Sequence, residues 1–149
     1  MRIASPALKL LGASLCACVA HGAFAAGDDF VRGPVEARVE RVIDGDTFEA
    51  IALVWPGHSV RVAVRIRGID APELRSRCAA EREAAQAARH ALEDLLAGAP
   101  VLLGNIGGDK YYGRVLADVI AHDGRPAAEI LVADGLARLY AGGARPAYC

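Results

Sequence analysis

Residues 59–66 read Ser59-Val60-Arg61-Val62-Ala63-Val64-Arg65-Ile66, with Arg67-Gly68 following. Val60, Val62, Val64 and Ile66 fall on one face, and Arg61, Arg65 and Arg67 on the other. A period of two with β-branched residues predicts a strand that packs one face on a core and turns its arginines away from it. Working outward, Glu36–Ile43 reads as a strand ended by the turn Asp44-Gly45-Asp46, and Thr47–Trp55 as its continuation, closed by Pro56-Gly57. Downstream, residues 79–97 are rich in Ala, Glu, Arg, Gln and Leu, which favour a helix. Ala84, Ala88, Leu92 and Leu96, with Ala85 and Leu95, form its apolar stripe, and Gly98 is placed to stop it. Strands are expected at Val101–Ile106 and Val115–His122, separated by a Gly-Gly-Asp loop, and a short helix at Ala127–Ala133, closed by Gly135. Five short strands with a helix between the third and fourth predict an α+β, mainly β, fold: a five-stranded barrel of the oligonucleotide-binding (OB) kind with a short C-terminal helix.

The 149 residues suit one domain, and 54% hydrophobic residues are ample for its core. Part of that share belongs to the first residues. Arg2 and Lys9 precede an apolar run, and Ala23-Phe24-Ala25 supplies small residues for a cut, so residues 1–26 are expected to be a secretory signal peptide and 27–149 the mature domain. The expected location is periplasmic or extracellular. An N-terminal membrane anchor is the first alternative, and lipidation at Cys18 within Leu15-Cys16-Ala17-Cys18 a second. The chain has 17 Lys and Arg against 18 Asp and Glu, and loss of the leader would leave about three acids in excess. Such a balance counts against a protein that coats nucleic acid through bulk positive charge, but not against a local basic site. Cleavage would also leave two cysteines, Cys78 and Cys149. In an oxidising compartment they are expected to pair, with two free thiols as the alternative.

Three segments concentrate polar residues. They are Val42-Ile43-Asp44-Gly45-Asp46-Thr47, then Arg65-Ile66-Arg67-Gly68-Ile69-Asp70-Ala71-Pro72-Glu73, then Asp109-Lys110-Tyr111-Tyr112-Gly113-Arg114. Asp46 and Asp70, with the backbone carbonyl of Ala71, make an oxygen set suited to a hard cation, calcium first and magnesium as the weaker alternative, with no His or Cys nearby to suggest zinc. His58, His90 and His122 are scattered and read as surface residues. Glu73 is a candidate to take a proton from an attacking water. Asp44 is a candidate to bond water on the cation, or simply to form the turn.

In combination and order the three segments resemble the thermonuclease (staphylococcal-nuclease-like) family over roughly residues 35 to 140, and the tail resembles that of its short secreted branch. The resemblance implies a metal-dependent phosphodiesterase acting on DNA, RNA or both as a monomer, with no membrane attachment in the mature form. It assigns Arg65 and Arg114 to phosphate binding and Glu73 to the base. Lys110, Tyr111 and Tyr112 would contact the nucleic acid. Ala71 stands where the family often has Thr, and the double Tyr111-Tyr112 departs from its usual single tyrosine. Tyr140 is the one candidate for a late base-stacking tyrosine. The alternative is a catalytically weak OB-fold module that binds nucleic acid or a peptide. Such a module is expected to have lost some of Asp46, Arg65, Asp70, Glu73 and Arg114, and all five are present.

Overall fold

The computed structural model describes residues 30–145 and 147–149, so the expected leader lies outside the described residues. The strands are β1 (Phe30–Val31), β2 (Val35–Asp44), β3 (Thr47–Trp55), β4 (His58–Ile66), β5 (Ile69–Asp70), β6 (Val101–Gly108), β7 (Arg114–Ile120) and β8 (Arg138–Leu139). The helices are α1 (Ala79–Leu96), between β5 and β6, and α2 (Ala127–Ala133), between β7 and β8. Strands β2, β3 and β4 form an antiparallel meander, β4 pairs with β7 in parallel, and β7 returns through β6 to β2. The ring is therefore a closed five-stranded barrel, the OB-like architecture expected, with β1 added along β6. Closure removes the free edges that an open sheet of this size would carry. Register shifts in β2 after Val39 and Val42 supply the bulges that bend it around the barrel.

The core lies inside the ring and under α1. Phe48, Val64, Ile66, Val101 and Leu103 fill the barrel, and Leu92 and Leu96 cap it from the helix. Along α1 the buried stripe is Ala85, Ala88, Leu92 and Leu96, while Ala84 is exposed. The stripe thus begins one residue later than expected, because Ala85 and not Ala84 continues the three- and four-residue steps from Ala88 back to the barrel. The helix itself ends at Leu96, where Ala97 turns extended and Gly98 takes φ 87°. In β4 the apolar face is buried only in its second half: Val64 and Ile66 are interior, while Val60 projects with Trp55 near the turn of the β3–β4 hairpin.

Two further expectations are corrected. The glycines expected in a loop, Gly107 and Gly108, extend β6 and pair with Leu116 and Val115 of β7. A left-handed Asn105 (φ 48°) absorbs the irregularity that this extension requires. The second strand of that hairpin begins at Arg114 and stops at Ile120, before Asp123-Gly124 turns.

The parallel pairing of β4 with β7 matters most for function. Its register sets Ala63 opposite Arg114 and Arg65 opposite Leu116, so Arg65 and Arg114 share one face of adjacent strands. Next to them the Asp44–Thr47 turn sinks into the protein instead of lying at its surface. Gly45 makes this possible, since a Cβ there would lie 2.7 Å from the Ala88 Cβ on α1 and 2.8 Å from the Ala71 Cβ. Gly45→Ala should therefore destabilise the fold by about 1–3 kcal/mol through overpacking. Gly108→Ala, where a Cβ meets nothing within 4 Å, should change it by less than about 0.5 kcal/mol. Urea denaturation of the two variants checks this, and equal midpoints would mean that α1 gives way without cost.

Candidate active site

Three loops meet at one end of the barrel around a cleft of about 1290 Å³. The β2–β3 turn brings Asp44 and Asp46, the segment after β4 brings Asp70, Ala71 and Glu73, and the β6–β7 hairpin brings Asp109, Lys110, Tyr111 and Arg114. Arg65 enters from β4, and the C-terminal segment closes the remaining side with Tyr140 and Arg145. Tyr112 is the expected residue that the structure does not bring here, since it does not line the cleft and its side chain is fully exposed.

At the floor sit two carboxylates, each only 2% exposed: Asp46 and Asp70. One guanidinium bridges them. Arg65 donates from Nη1 to Asp46 Oδ1 at 2.7 Å and from Nη2 to Asp70 Oδ1 at 3.1 Å. Asp46 also accepts from the Thr47 hydroxyl at 2.8 Å and, through Oδ2, from the Ala71 amide at 2.9 Å. The Ala71 bond locks the second segment to the first. Asp44 accepts the Asp46 amide at 3.1 Å, which is the turn-forming role.

Arg114 is held differently. Its Nε donates to Asp109, and its guanidinium lies over the Tyr111 ring, 4.6 Å from the centroid. Burial works against the charge of Asp109, but bonds from Arg114 and from the Lys110 amide hold its carboxyl below the usual range, and the Arg65 charge adds to this. Both arginines thus stand pre-aligned along one cleft wall. Glu73 is the most accessible of the acids, its side chain 56% exposed at the rim.

Two participants escaped the sequence reading. Glu81, in the first turn of α1, accepts the Glu73 amide at 3.1 Å and the Ser76 hydroxyl, and so holds the Glu73 loop against the helix. Its place as the single acid in the first turn of a predicted helix was its only signal. Arg145 donates to Asp70 Oδ2 at 2.9 Å and to the Ala71 carbonyl at 2.8 Å, and pairs with Glu73. Only its place four residues before Cys149 hinted at this. Cys149 is disulfide-bonded to Cys78, just before α1, with the Cα atoms 6.5 Å apart. The bond carries the tail back to the cleft.

The oxygens gathered here suit a hard cation. Asp46, Asp70 and the Ala71 carbonyl offer two carboxylates and a carbonyl, and the groups facing them are cationic. Among the described residues no three His, Cys, Asp or Glu side chains converge at metal-binding distance, so a cation here would complete its shell with water.

Burial pushes Asp46 up to about 6, with Arg65 opposing and Asp44 adding to the rise. Asp46 ionises near 3.8 when unfolded and near 6 when folded, so between these values the folded protein holds the extra proton. Without divalent cations, stability should therefore fall as pH rises from about 4 to 6.5, by up to about 3 kcal/mol. Urea midpoints in chelator across this range check it, and Asp46→Asn should flatten the profile. A wild-type profile that climbs would mean that Arg65 outweighs burial.

Sequence comparison agrees with this architecture. The pattern of the staphylococcal nuclease homologue family matches residues 63–147. Two proteins named uncharacterized endonuclease, from Escherichia coli and from Escherichia coli O157:H7, are each 34% identical over 108 residues. The alignment takes in 71% of this chain, which spans 61% of the length of those relatives. With more than half of its residues matched, and with that family's expected barrel, the chain belongs to the staphylococcal nuclease homologue family.

Proposed function

We propose that this protein is an exported nuclease that hydrolyses phosphodiester bonds of DNA, RNA or both with little sequence preference, using calcium, with magnesium as a weaker substitute. The observation that carries this reading is the pair of buried carboxylates at the foot of a cleft that also holds Arg65 and Arg114 on one wall. Two ionisable acids withdrawn from water are expensive to keep for stability alone, and they are what a hard cation requires. The relatives' name, endonuclease, points the same way.

Asp46, Asp70 and the Ala71 carbonyl would hold the cation, which when bound supplies positive charge against the phosphate and its transition state. The chain's own side chains do the rest. Arg65 and Arg114 each present paired donors that match phosphate oxygens, a geometry that a lysine cannot copy. Their pairing with Asp46, Asp70 and Asp109 keeps them in the cleft until a phosphate draws them over. Glu73, at the rim and open to solvent, accepts the proton of the attacking water. Lys110 and Tyr111 line the approach, where the ring offers a stacking face and the ammonium a phosphate contact. Tyr112, fully exposed beside them, extends that surface outside the cleft. Export rests on the character of residues 1–26 and on the two remaining cysteines, a pairing suited to an oxidising compartment.

Purified protein should cut plasmid DNA or RNA in millimolar calcium, stop in chelator and stay inactive with zinc alone. Full cutting in chelator would end the metal assignment. Arg65→Ala and Arg114→Ala should each lower turnover by roughly a hundred- to a thousand-fold while far-UV circular dichroism is unchanged. A variant that cuts within a factor of about three of wild type would reduce that arginine to a strand-face residue and favour the binding-module reading.

A further inference from the structure

Arg145 belongs to a tail outside the barrel ring, yet its guanidinium rests on the oxygens assigned above to the cation. Nε donates to Asp70 Oδ2 at 2.9 Å, and Nη2 donates to the Ala71 carbonyl at 2.8 Å and lies 2.9 Å from Asp70 Oδ1. Nη1 pairs with Glu73. One side chain thus engages two of the three expected cation ligands and the expected base.

The tail is built to keep it there. Upstream, β8 pairs with β5, setting Arg138 opposite Asp70, and the Tyr140 amide bonds the Gly68 carbonyl. Downstream, the Tyr148 hydroxyl donates to the Asp70 carbonyl at 2.7 Å, and Arg138 stacks on the Tyr148 ring and donates to the Ala147 carbonyl. The Cys78–Cys149 disulfide then fixes the end of the tail beside α1. Between the two attachments lie Gly142 and Gly143, with φ of 103° and 94°, a backbone that side-chain-bearing residues rarely adopt, and the Gly143 carbonyl accepts the Tyr140 hydroxyl at 2.6 Å. The Arg145 side chain is 37% exposed, so it can leave without disturbing the core.

We propose that Arg145 is a tethered internal competitor for the divalent cation, and that the disulfide is the tether that makes it effective. The proposal rests on the metal reading above. The Arg145 guanidinium lies across both Asp70 oxygens and the Ala71 carbonyl, where its bulk and its charge both oppose a calcium ion, so cation entry displaces Arg145. The apparent cation affinity is then lowered by the fraction of time the site is open. Because the tail is anchored at both ends, the effective concentration of the guanidinium is that of an intramolecular ligand. The same contact neutralises Asp70 and Glu73 while no cation is bound. Reduction of the disulfide would lengthen the excursion of Arg145 and tighten cation binding, which couples the site to the redox state of its surroundings.

The test is a calcium titration by isothermal calorimetry on the whole purified protein, without nucleic acid, so that no turnover enters the readout. Arg145→Gln and Arg145→Ala should bind calcium about tenfold or more tightly than wild type, with Arg145→Lys between, because it keeps the charge but loses the fork. Reduced wild type should move toward the Arg145→Ala value, and reduction of Arg145→Ala should change nothing further. Near-UV circular dichroism confirms that each sample is folded. Equal or weaker binding by both neutral variants would overturn the competitor, and weaker binding of a nucleoside bisphosphate by them would make Arg145 a phosphate ligand instead. Unchanged affinity on reducing wild type would overturn the tether. No calcium binding to any sample would overturn the metal reading and this proposal together, whereas equal binding by all would overturn this proposal alone.

Discussion

The bridge that Arg65 makes between Asp46 and Asp70 is the constraint around which this end of the molecule is arranged. Each carboxylate is almost fully withdrawn from water, and a buried ion costs several kcal/mol unless it is paired and its lone pairs are satisfied. The surroundings meet that demand point by point. Thr47 and the Ala71 amide bond Asp46, and Arg145 bonds Asp70. These bonds tie three segments that are distant in sequence. Gly45 allows the turn that carries Asp46 to sink between α1 and Ala71. Even so, burial raises Asp46 to about 6, and its arginine only partly opposes the rise.

The barrel explains why these segments meet at all. Parallel pairing of β4 with β7 needs a long crossover, and here the crossover carries β5, α1 and β6. It returns the chain so that Arg114 starts β7 two registers before the partner of Arg65. Both guanidinia then share a face because side chains alternate along a strand, with no need for special backbone geometry. The Asp109–Arg114 bond and the Tyr111 ring finish the hairpin side of the cleft.

Much of this was legible in the sequence because it rests on local periodicity. The alternation in residues 59–66, the turn at Asp44-Gly45-Asp46 and the Ala-rich helix each leave a pattern in a short window, and the barrel follows from their order. What was missed depends on contacts between distant residues. Strands β5 and β8 are two residues each, too short for a period to appear, and exist only because the tail folds back. Gly107 and Gly108 carry no side chain to signal a strand, and only their pairing with β7 makes them one. Ala84 and Ala85 are chemically alike, so only packing decides which faces inward. The place of Arg145 needed both the disulfide and the β5–β8 pairing to be known.

The pairing of Arg65, Arg114 and Arg145 with acids has a consequence for how the site would fill. Arg65 is held by Asp46 and Asp70, Arg114 by Asp109, and Arg145 by Asp70 and Glu73. A phosphate approaching this cleft alone would have to draw each guanidinium away from a carboxylate, part of which would then be left buried and unpaired. A divalent cation approaching alone would have to dislodge Arg145 and compete with Arg65 for the same oxygens. Together the two would be compatible, since a cation would satisfy the carboxylates while the released guanidinia turned to the phosphate. Linkage then requires that each ligand strengthen the other by the same factor. A cleft whose three innermost arginines are already paired would thus suit either partner alone poorly and both together well, a route by which a chain with a small net negative charge could accept a polyanion.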